Sequence, residues 1–389
     1  MKITSLKINN FRNYKKLVLD FNPSKNIIIG KNGMGKTNIV EAIYVLALTK
    51  SFRGSKDDVI IKIGENNCKV EGTVVDDYKI DYKIVISKEE NKKVWINKKK
   101  IPKLVDYLSN INIVLFTLDD LKLVKDTPNT RRKLINIELS QFSNDYLKIT
   151  TLYNKLLKQR NSYLKTLYIN GNASQEYLDI ITAKLIEYGM KIYEYRYNFI
   201  EDISKYITNN YKKITGLDNL KIVYKSDFLN KSYEEIEKLY KKNKNRDITS
   251  GITNIGIHRD DFEFVLDEKV LKDFGSEGEQ KNAVIALKMA EIEIFKDKKN
   301  IIPILILDDL FSELDKTKIN NILKFIDNDI QTFITTTELS KLNKKLLNDS
   351  KIFVVKNGVV EIKENWYGRK YWTLWRFRYS STWRSRSST

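Results

Sequence analysis

The sequence has little of what metal-centred and hydrolytic chemistry most often uses. Among 389 residues there is one cysteine, Cys68, and one histidine, His258. A single thiol cannot close a disulfide within the chain, and one thiol with one imidazole is too few for the usual Cys/His zinc site. No Gly-x-Ser-x-Gly occurs, so the usual nucleophile elbow of a serine hydrolase is missing. The N-terminal "MKITSLKINNF" has no signal-peptide core, and the apolar run near residue 304 falls far short of a membrane span. These absences lead us to expect a cytoplasmic protein with no membrane partner.

What the chain has in surplus is positive charge: 69 Lys and Arg against 50 Asp and Glu, a formal net charge of +19. A phosphate backbone is a natural partner for that charge, and its binding would be salt-sensitive. A Lys-rich solvated surface gives the same count. Hydrophobic residues make up 42%, ample for folding, and the length exceeds what one small core needs.

The first chemical motif is "GKNGMGKT", comprising Gly30, Lys31, Asn32, Gly33, Met34, Gly35, Lys36 and Thr37. It follows a short β-branched run, "NIII", and precedes "NIVEAIYVLAL", where Ile39, Ala42, Ile43, Leu46 and Ala47 recur at helical spacing. Strand, glycine-rich turn and helix are the context in which Gly-x-x-x-x-Gly-Lys-Ser/Thr binds phosphates. The glycines let backbone amides curl around phosphate oxygens. Lys36 is expected to bridge the β- and γ-phosphates of ATP, and the Thr37 hydroxyl to ligate Mg²⁺.

A phosphate loop needs a carboxylate for the metal, and "IPILILDDLFSELD" supplies one. Ile304 to Leu307 read as a central parallel strand buried on both faces. Asp308 and Asp309 stand at its C-terminal tip, where ligands bind in open α/β sheets. Asp308 is the expected second Mg²⁺ residue, and Asp309 the residue that orients or deprotonates the attacking water. A second anion site is predicted at "FGSEGEQKN", where Ser276, Gly278 and Gln280 place a hydroxyl, a bare backbone and an amide at a helix start.

Three motifs in the chain order P-loop, Ser-x-Gly-x-Gln, strand-Asp-Asp resemble the head domains of ABC-type ATPases, and more narrowly the RecF family of DNA replication and repair proteins. The closer match is carried by "LKINNFRNY" (6–14), "NGMGKTNIVEAIY" (32–44), "KSFRGSKD" (50–57), "FTLDDLKLVKDTPNTRRK" (116–133), "IHRDDFEF" (257–264), "FGSEGEQKN" (274–282) and "LDDLFSELD" (307–315). The resemblance runs from residue 1 to about 363. It implies an α/β fold: an ABC-type ATPase head with a P-loop mixed sheet plus an inserted, mainly helical second lobe. It also implies an ATP-dependent homodimer in which Ser276, Gly278 and Gln280 of one subunit cap ATP held by the other. The implied function is a DNA clamp at single-strand/double-strand gaps, with weak DNA-stimulated ATPase activity, RecR and RecO as partners, and a role in the SOS response.

Departures from the family pattern are local. Glu279 stands where the family usually has glutamine, and Ile257 where it has proline. Transporter ATPases carry glutamate after the metal aspartate and a histidine on the last strand. Here those places read Asp309 and "FITTTE" (333–338), with Thr336 or Thr337 as candidates to meet the γ-phosphate. The shorter acid and the absent histidine suggest slow hydrolysis. An ATPase subunit of a transporter or chromosome-condensing complex is the alternative reading. Transporter heads lack a helical lobe of this length between the motifs, and no long heptad arms are visible.

The expected layout is residues 1–116 as the N-terminal part of the head, 117–250 as the helical lobe and 251–363 as the C-terminal part of the head. "KKNKNRD" (241–247) reads as a basic loop returning to the head. "KKVWINKKKI" (92–101) reads as a hairpin turning at Asn97-Lys98. Its Lys92, Lys93, Lys98, Lys99 and Lys100 around Trp95 suit either a DNA backbone or plain solvation. The tyrosines of "YLKITTLYNKLLKQRNSYLKTLY" (146–168) read as a helix-packing face rather than a base-stacking platform. Arg131 and Arg132 open a helix after Pro128, an odd place for cations. A phosphate or DNA partner would explain them, as would an acidic neighbour. His258 and Arg259 read as structural ion-pair residues. The last stretch, 364–389, holds four of the five tryptophans and six Lys/Arg with no acid after Glu364. It reads as a frameshifted or appended tail outside the fold; an arm stacking on nucleic acid is the other reading.

Overall fold

The N-terminal segments alternate inward apolar and outward polar residues, and they pair accordingly. In the computed structural model, which describes residues 1–54, 56–171, 173–326 and 329–363, β1 (Lys2–Phe11) and β2 (Tyr14–Asp20) form a hairpin. β3 (Lys25–Ile29) then leads into α1 (Lys36–Leu48), and a short α2 (Asp57–Ile60) follows. β4 (Asn67–Val75), β5 (Lys79–Ser87), β6 (Lys93–Ile96) and β7 (Lys99–Ile101) complete an antiparallel sheet in the order β2-β1-β4-β5-β6-β7. Its inner face, with Ile3, Leu6, Ile8, Val70, Ile84 and Ile86, packs on α1. The helix comes so close that a Cβ at Gly72 would lie 2.4 Å from Leu46 Cδ2.

After α3 (Leu104–Tyr107) and β8 (Ile113–Thr117) the chain turns helical: α4 (Pro128–Phe142), α5 (Asn144–Ile169), α6 (Gln175–Thr215) and α7 (Tyr233–Ser250). Serine caps start three of them, Ser143, Ser174 and Ser232 each accepting from a first-turn amide. Of the tyrosines in 146–168, Tyr146 and Tyr153 are buried as expected of a packing face, Tyr163 is half-buried, and Tyr168 near the helix end is exposed. The expected basic loop at 241–247 is instead the middle of α7. A capping box at Ser232 and Glu235 starts that helix and Gly251 ends it, and its buried Asp247 receives Arg160 at 2.8 Å. Polarity there reported exposure, not chain conformation.

The return segment supplies β10 (Asp261–Leu266), β11 (Lys269–Val270), α8 (Leu271–Phe274), α9 (Glu277–Lys299), β12 (Ile304–Asp308), α10 (Lys316–Phe325), β13 (Thr332–Thr336), α11 (Lys344–Asn348), β14 (Ser350–Lys356) and β15 (Val359–Lys363). The central sheet runs β15-β14-β3-β13-β12-β8, parallel except for β15. β8 straddles the expected boundary at 116 and belongs to this sheet. The helical segment also contributes β9 (Leu220–Lys225), which pairs with β10, so the mainly helical lobe carries one strand of a small third sheet.

Two sheets therefore enclose α1, and every residue from Ile39 to Leu48 is buried rather than only the stripe its spacing suggested. At about 1.5–3 kcal/mol per fully buried aliphatic side chain, this helix holds the phosphate loop against a rigid backing. Gln331 fastens the two sheets together: its side chain accepts from Ile3 N–H at 2.7 Å and donates to the Ile3 carbonyl at 2.8 Å. No helix among the described residues is long and apolar enough to cross a membrane. The 364–389 segment and Ser55 lie outside the described residues.

Candidate active site

The loop from Gly30 to Gly35 joins the C-terminal end of β3 to α1. Gly30 passes so near β14 that a Cβ there would sit 2.4 Å from the Val355 carbonyl oxygen. Gly35 takes φ 108° as the residue before the helix and offers no capping side chain, so no side-chain oxygen competes with an anion at the start of α1. Lys36 is buried, and its ammonium donates to the Lys31 carbonyl at 3.2 Å, folding back over the loop. Burial lowers its pKa against the opposing pull of Asp309 and Asp308. Lys31, Asn32 and Gly33 are exposed along the rim, and Met34 packs against the N-terminal core.

The register of the central sheet brings the acids to this loop. Asp308 ends β12, and its carboxylate accepts hydrogen bonds from Thr335 Oγ1 at 2.7 Å and from the Thr37 hydroxyl. Burial nonetheless pushes the Asp308 carboxyl up from its ordinary range. Asp309 has φ 52°, and its N–H donates to Thr335 Oγ1 at 2.8 Å. Its Oδ1 is buried without a hydrogen-bond partner. Thr37, Asp308 and Asp309 thus gather hard oxygen donors, one of them an orphaned buried acceptor, which fits Mg²⁺ and its water shell. Thr37 and Asp308 would hold the ion. Thr336 is not available to a γ-phosphate: its hydroxyl donates to the Glu338 carbonyl at 2.9 Å and accepts from Glu338 N–H at 3.2 Å.

Two features escaped sequence reasoning. Glu41, fully buried on α1, receives the Arg12 guanidinium on both oxygens and the Ser51 hydroxyl, with Arg53 3.8 Å away. The "FRNY" and "SFRG" stretches thereby converge on the phosphate-loop helix. A lone acid inside "NIVEAIY" was the available signal. Thr335, which touches both acids, had only its place in "TTT" to mark it.

Ser276 precedes α9 as its cap. Its Oγ accepts from Glu279 N–H at 3.3 Å, and the Glu279 carboxylate accepts from both Ser276 N–H and Oγ–H. Gly278 needs no space inside the chain, its nearest neighbour to a Cβ being Ser276 Oγ at 3.9 Å. Gln280 is buried, and its amide donates to the Gly275 carbonyl at 2.8 Å, so it braces the turn from within. Among the described residues, the hydrogen bonds of Ser276 run only to Glu279 and Gln280, never to the phosphate loop.

The candidate DNA contacts divide. Lys98, Lys99 and Lys100 are exposed at the β6–β7 hairpin, which turns at Asn97 and Lys98 through positive φ angles. Lys93 pairs with Glu90 at the surface. Lys92 is committed inward, to the Thr49 carbonyl at 2.6 Å and to Asp57 at 2.7 Å. Arg131 is buried, bound on two nitrogens by Asp261 at 2.7 and 2.8 Å and to the Asp126 carbonyl at 2.7 Å. Arg132 donates to the Asp260 carbonyl at 2.6 Å. The acidic neighbour accounts for Arg131, and a guanidinium so enclosed cannot reach a DNA backbone. Among the described residues His258 makes no ion pair. Its Nε2–H donates to the Thr253 carbonyl and its Nδ1 accepts from Tyr153 Oη–H, both at 2.9 Å, and burial lowers its pKa.

A P-loop, a strand-end acid pair and a serine turn on one α/β scaffold define a P-loop ATPase head. Residues 2–361 match the family described as RecF/RecN/SMC N terminal domain. The SMC head of Pyrococcus furiosus has the same fold, with a TM-score of 0.53 at 17% identity over 93% of this chain and 96% of that one. Closer similarity is to the DNA replication and repair protein RecF of Clostridioides difficile (strain 630), 38% identical, covering 94% of this chain and 99% of that protein. RecF of Lactobacillus gasseri is 35% identical, covering 94% and 100%. The solved recombination mediator protein RecF with ATP, of the RecFOR pathway, matches with a TM-score of 0.85 at 30% identity, covering 93% and 98%. The chain belongs to the RecF family of DNA replication and repair proteins.

Proposed function

We propose that the chain is an ATP-gated dimeric DNA clamp of recombinational repair. Each P-loop binds one ATP: its amides and Lys36 take the phosphates, while Thr37 and Asp308 hold Mg²⁺. When bound, Mg²⁺ would supply charge neutralisation to the reacting phosphates. Asp309, presented by its positive φ, orients the attacking water and accepts its proton. The observation that carries the reading is the division of labour within one chain. Lys36, Thr37, Asp308 and Asp309 converge, whereas among the described residues Ser276 and Gly278 have no partner beyond their own helix start. Glycine in a first turn costs up to about 1 kcal/mol relative to alanine, and close approach by a second subunit's ATP accounts for it.

DNA as the partner is supported by the outer face of the N-terminal sheet. One lateral row reads Lys7, Glu71, Lys83, Trp95 and Lys100 on neighbouring strands, with Lys83 Nζ 4.5 Å over the Trp95 ring. Lys98 and Lys99 extend it at the hairpin. Binding to gapped DNA, weak DNA-stimulated hydrolysis, a role in the SOS response, and RecR and RecO as partners are proposed from the family resemblance. The RecFOR pathway named for the solved relative supports the last of these.

The test is a mixed dimer. Ser276→Arg leaves its own P-loop intact and Lys36→Ala leaves its own serine intact. Mixing them repairs one composite site if capping is in trans. ATP-dependent crosslinks confined to the Ser276→Arg P-loops are expected. Their absence, with both proteins folded, refutes the dimeric site.

A further inference from the structure

We propose that Thr335 is the positioning residue of the hydrolytic centre, one hydroxyl that sets both acids. The inference rests on the ATPase reading above. Thr335 on β13 is the register partner of Asp308 on β12 and is fully buried. Its single proton goes to Asp308 Oδ1 at 2.7 Å, and its oxygen accepts the Asp309 N–H at 2.8 Å. A hydroxyl is the smallest side-chain group that can donate in one direction and accept from another. With Oδ1 held from β13, Asp308 cannot rotate, and Oδ2 is the oxygen without a claim from that strand. The Asp309 amide turns to the same hydroxyl, and the residue is held at φ 52°, a conformation an L-residue with a side chain rarely keeps unaided. On the far side of the turn, Ser312 Oγ–H donates to the Asp309 carbonyl at 2.7 Å. Gripped at both ends, Asp309 leaves its Oδ1 buried and unpartnered. The orphaned acceptor is thus a consequence of where Thr335 holds the backbone.

A threonine that merely fills the core would be replaced by valine, its near-isostere, with little consequence. A positioning threonine would not, because the methyl that replaces the hydroxyl neither donates nor accepts. The full chain is therefore compared as wild type, Thr335→Val, Thr335→Ala and Thr335→Ser, by equilibrium ATP binding with Mg²⁺ and with EDTA, and by single-turnover hydrolysis. In EDTA all four are expected to bind ATP alike, through the loop amides and Lys36. Mg²⁺ is expected to tighten binding to wild type and to Thr335→Ser. The two hydroxyl-free variants should lose about 10-fold or more of that gain, the range found when a residue supporting a metal ligand is removed. Hydrolysis should fall with the gain and return in Thr335→Ser. A Thr335→Val protein with the wild-type Mg²⁺ gain and rate overturns the proposal. So does loss of affinity in EDTA, which would mark a general structural defect. Absence of any Mg²⁺ gain in wild type would remove the metal reading itself, a failure distinct from the other two.

Discussion

One oxygen of Glu279 accepts hydrogen bonds from both the backbone N–H and the hydroxyl of Ser276, each at 2.8 Å. These are donors that a partner's γ-phosphate would need. A carboxylate already seated on them opposes a second anion by like charge, and in the proposed dimer it would have to swing away before closure.

Glu279→Gln keeps the capping box, since glutamine serves at the same helix position, and removes the charge. The variant should dimerise at a lower ATP concentration, by roughly fivefold if about 1 kcal/mol of anion repulsion at the helix start is relieved. Sedimentation across an ATP titration reads this directly. An unchanged midpoint would mean that Glu279 leaves the site freely.

Asp309→Asn changes the acid proposed to orient the attacking water without touching the loop amides or Lys36. ATP affinity should stay within twofold while hydrolysis slows about 100-fold or more, the usual contribution of a general base. ATP-bound dimers should then accumulate and outlast those of wild type in a chase experiment. Native turnover in this variant would take the catalytic role away from Asp309.

Much of this site was legible because its residues are fixed by local backbone chemistry. Gly30 to Thr37 needs only strand, turn and helix in succession, and Asp308 needs only the end of a buried strand. Glu41 and Thr335 were not legible. Their partners lie on Arg12, Ser51 and Arg53, or across a parallel sheet, and no spacing within one segment announces such pairings. Arg131 and Arg132 show the converse: two cations at a helix start invite a phosphate, and only the fold supplies Asp261 and the Asp260 carbonyl instead. The 241–247 stretch misled because lysine and asparagine suit an exposed helix face as well as a loop.

The core between α1, α4 and α9 holds a titratable cluster. Lys288 donates to Glu291 at 3.1 Å and lies 3.8 Å from Asp120, while Glu138 completes the group and Tyr44 packs beside it. Glu138 Oε2 and Glu291 Oε1 are buried without partners. Burial pushes both carboxyls up, Glu291 to about 7, and Lys288 pulls the other way. A carboxyl raised on folding makes the native state bind protons more tightly than the unfolded chain. Stability from this pair is therefore present below about pH 4.5 and declines as pH rises through about 7. Glu138→Gln removes one of the two acids. Its melting temperature should exceed wild type at pH 8 and converge with it at pH 5. Parallel curves at both pH values would show that the cluster does not titrate in this range.

The lysine hairpin and the arginine pair make opposite predictions for the same assay. Lys98, Lys99 and Lys100 are exposed and belong to no buried network, so replacing all three by alanine should leave the melting temperature nearly unchanged. If they neutralise DNA phosphates, affinity should drop and the dependence of log K on log salt should flatten by up to about 0.9 for each lysine lost. Arg131→Ala should do the reverse. It strips a half-buried carboxylate, Asp261, of both the hydrogen bonds that the buried Arg131 guanidinium gives it and leaves the Asp126 carbonyl without that donor. Breaking such a pair costs about 3–5 kcal/mol, which should appear as a clear fall in melting temperature. The salt slope of whatever DNA binding remains should be that of wild type. An Arg131→Ala protein that melts normally but binds DNA with a flatter slope would return this residue to the interface. A triple lysine variant with the wild-type slope would move the DNA off the hairpin.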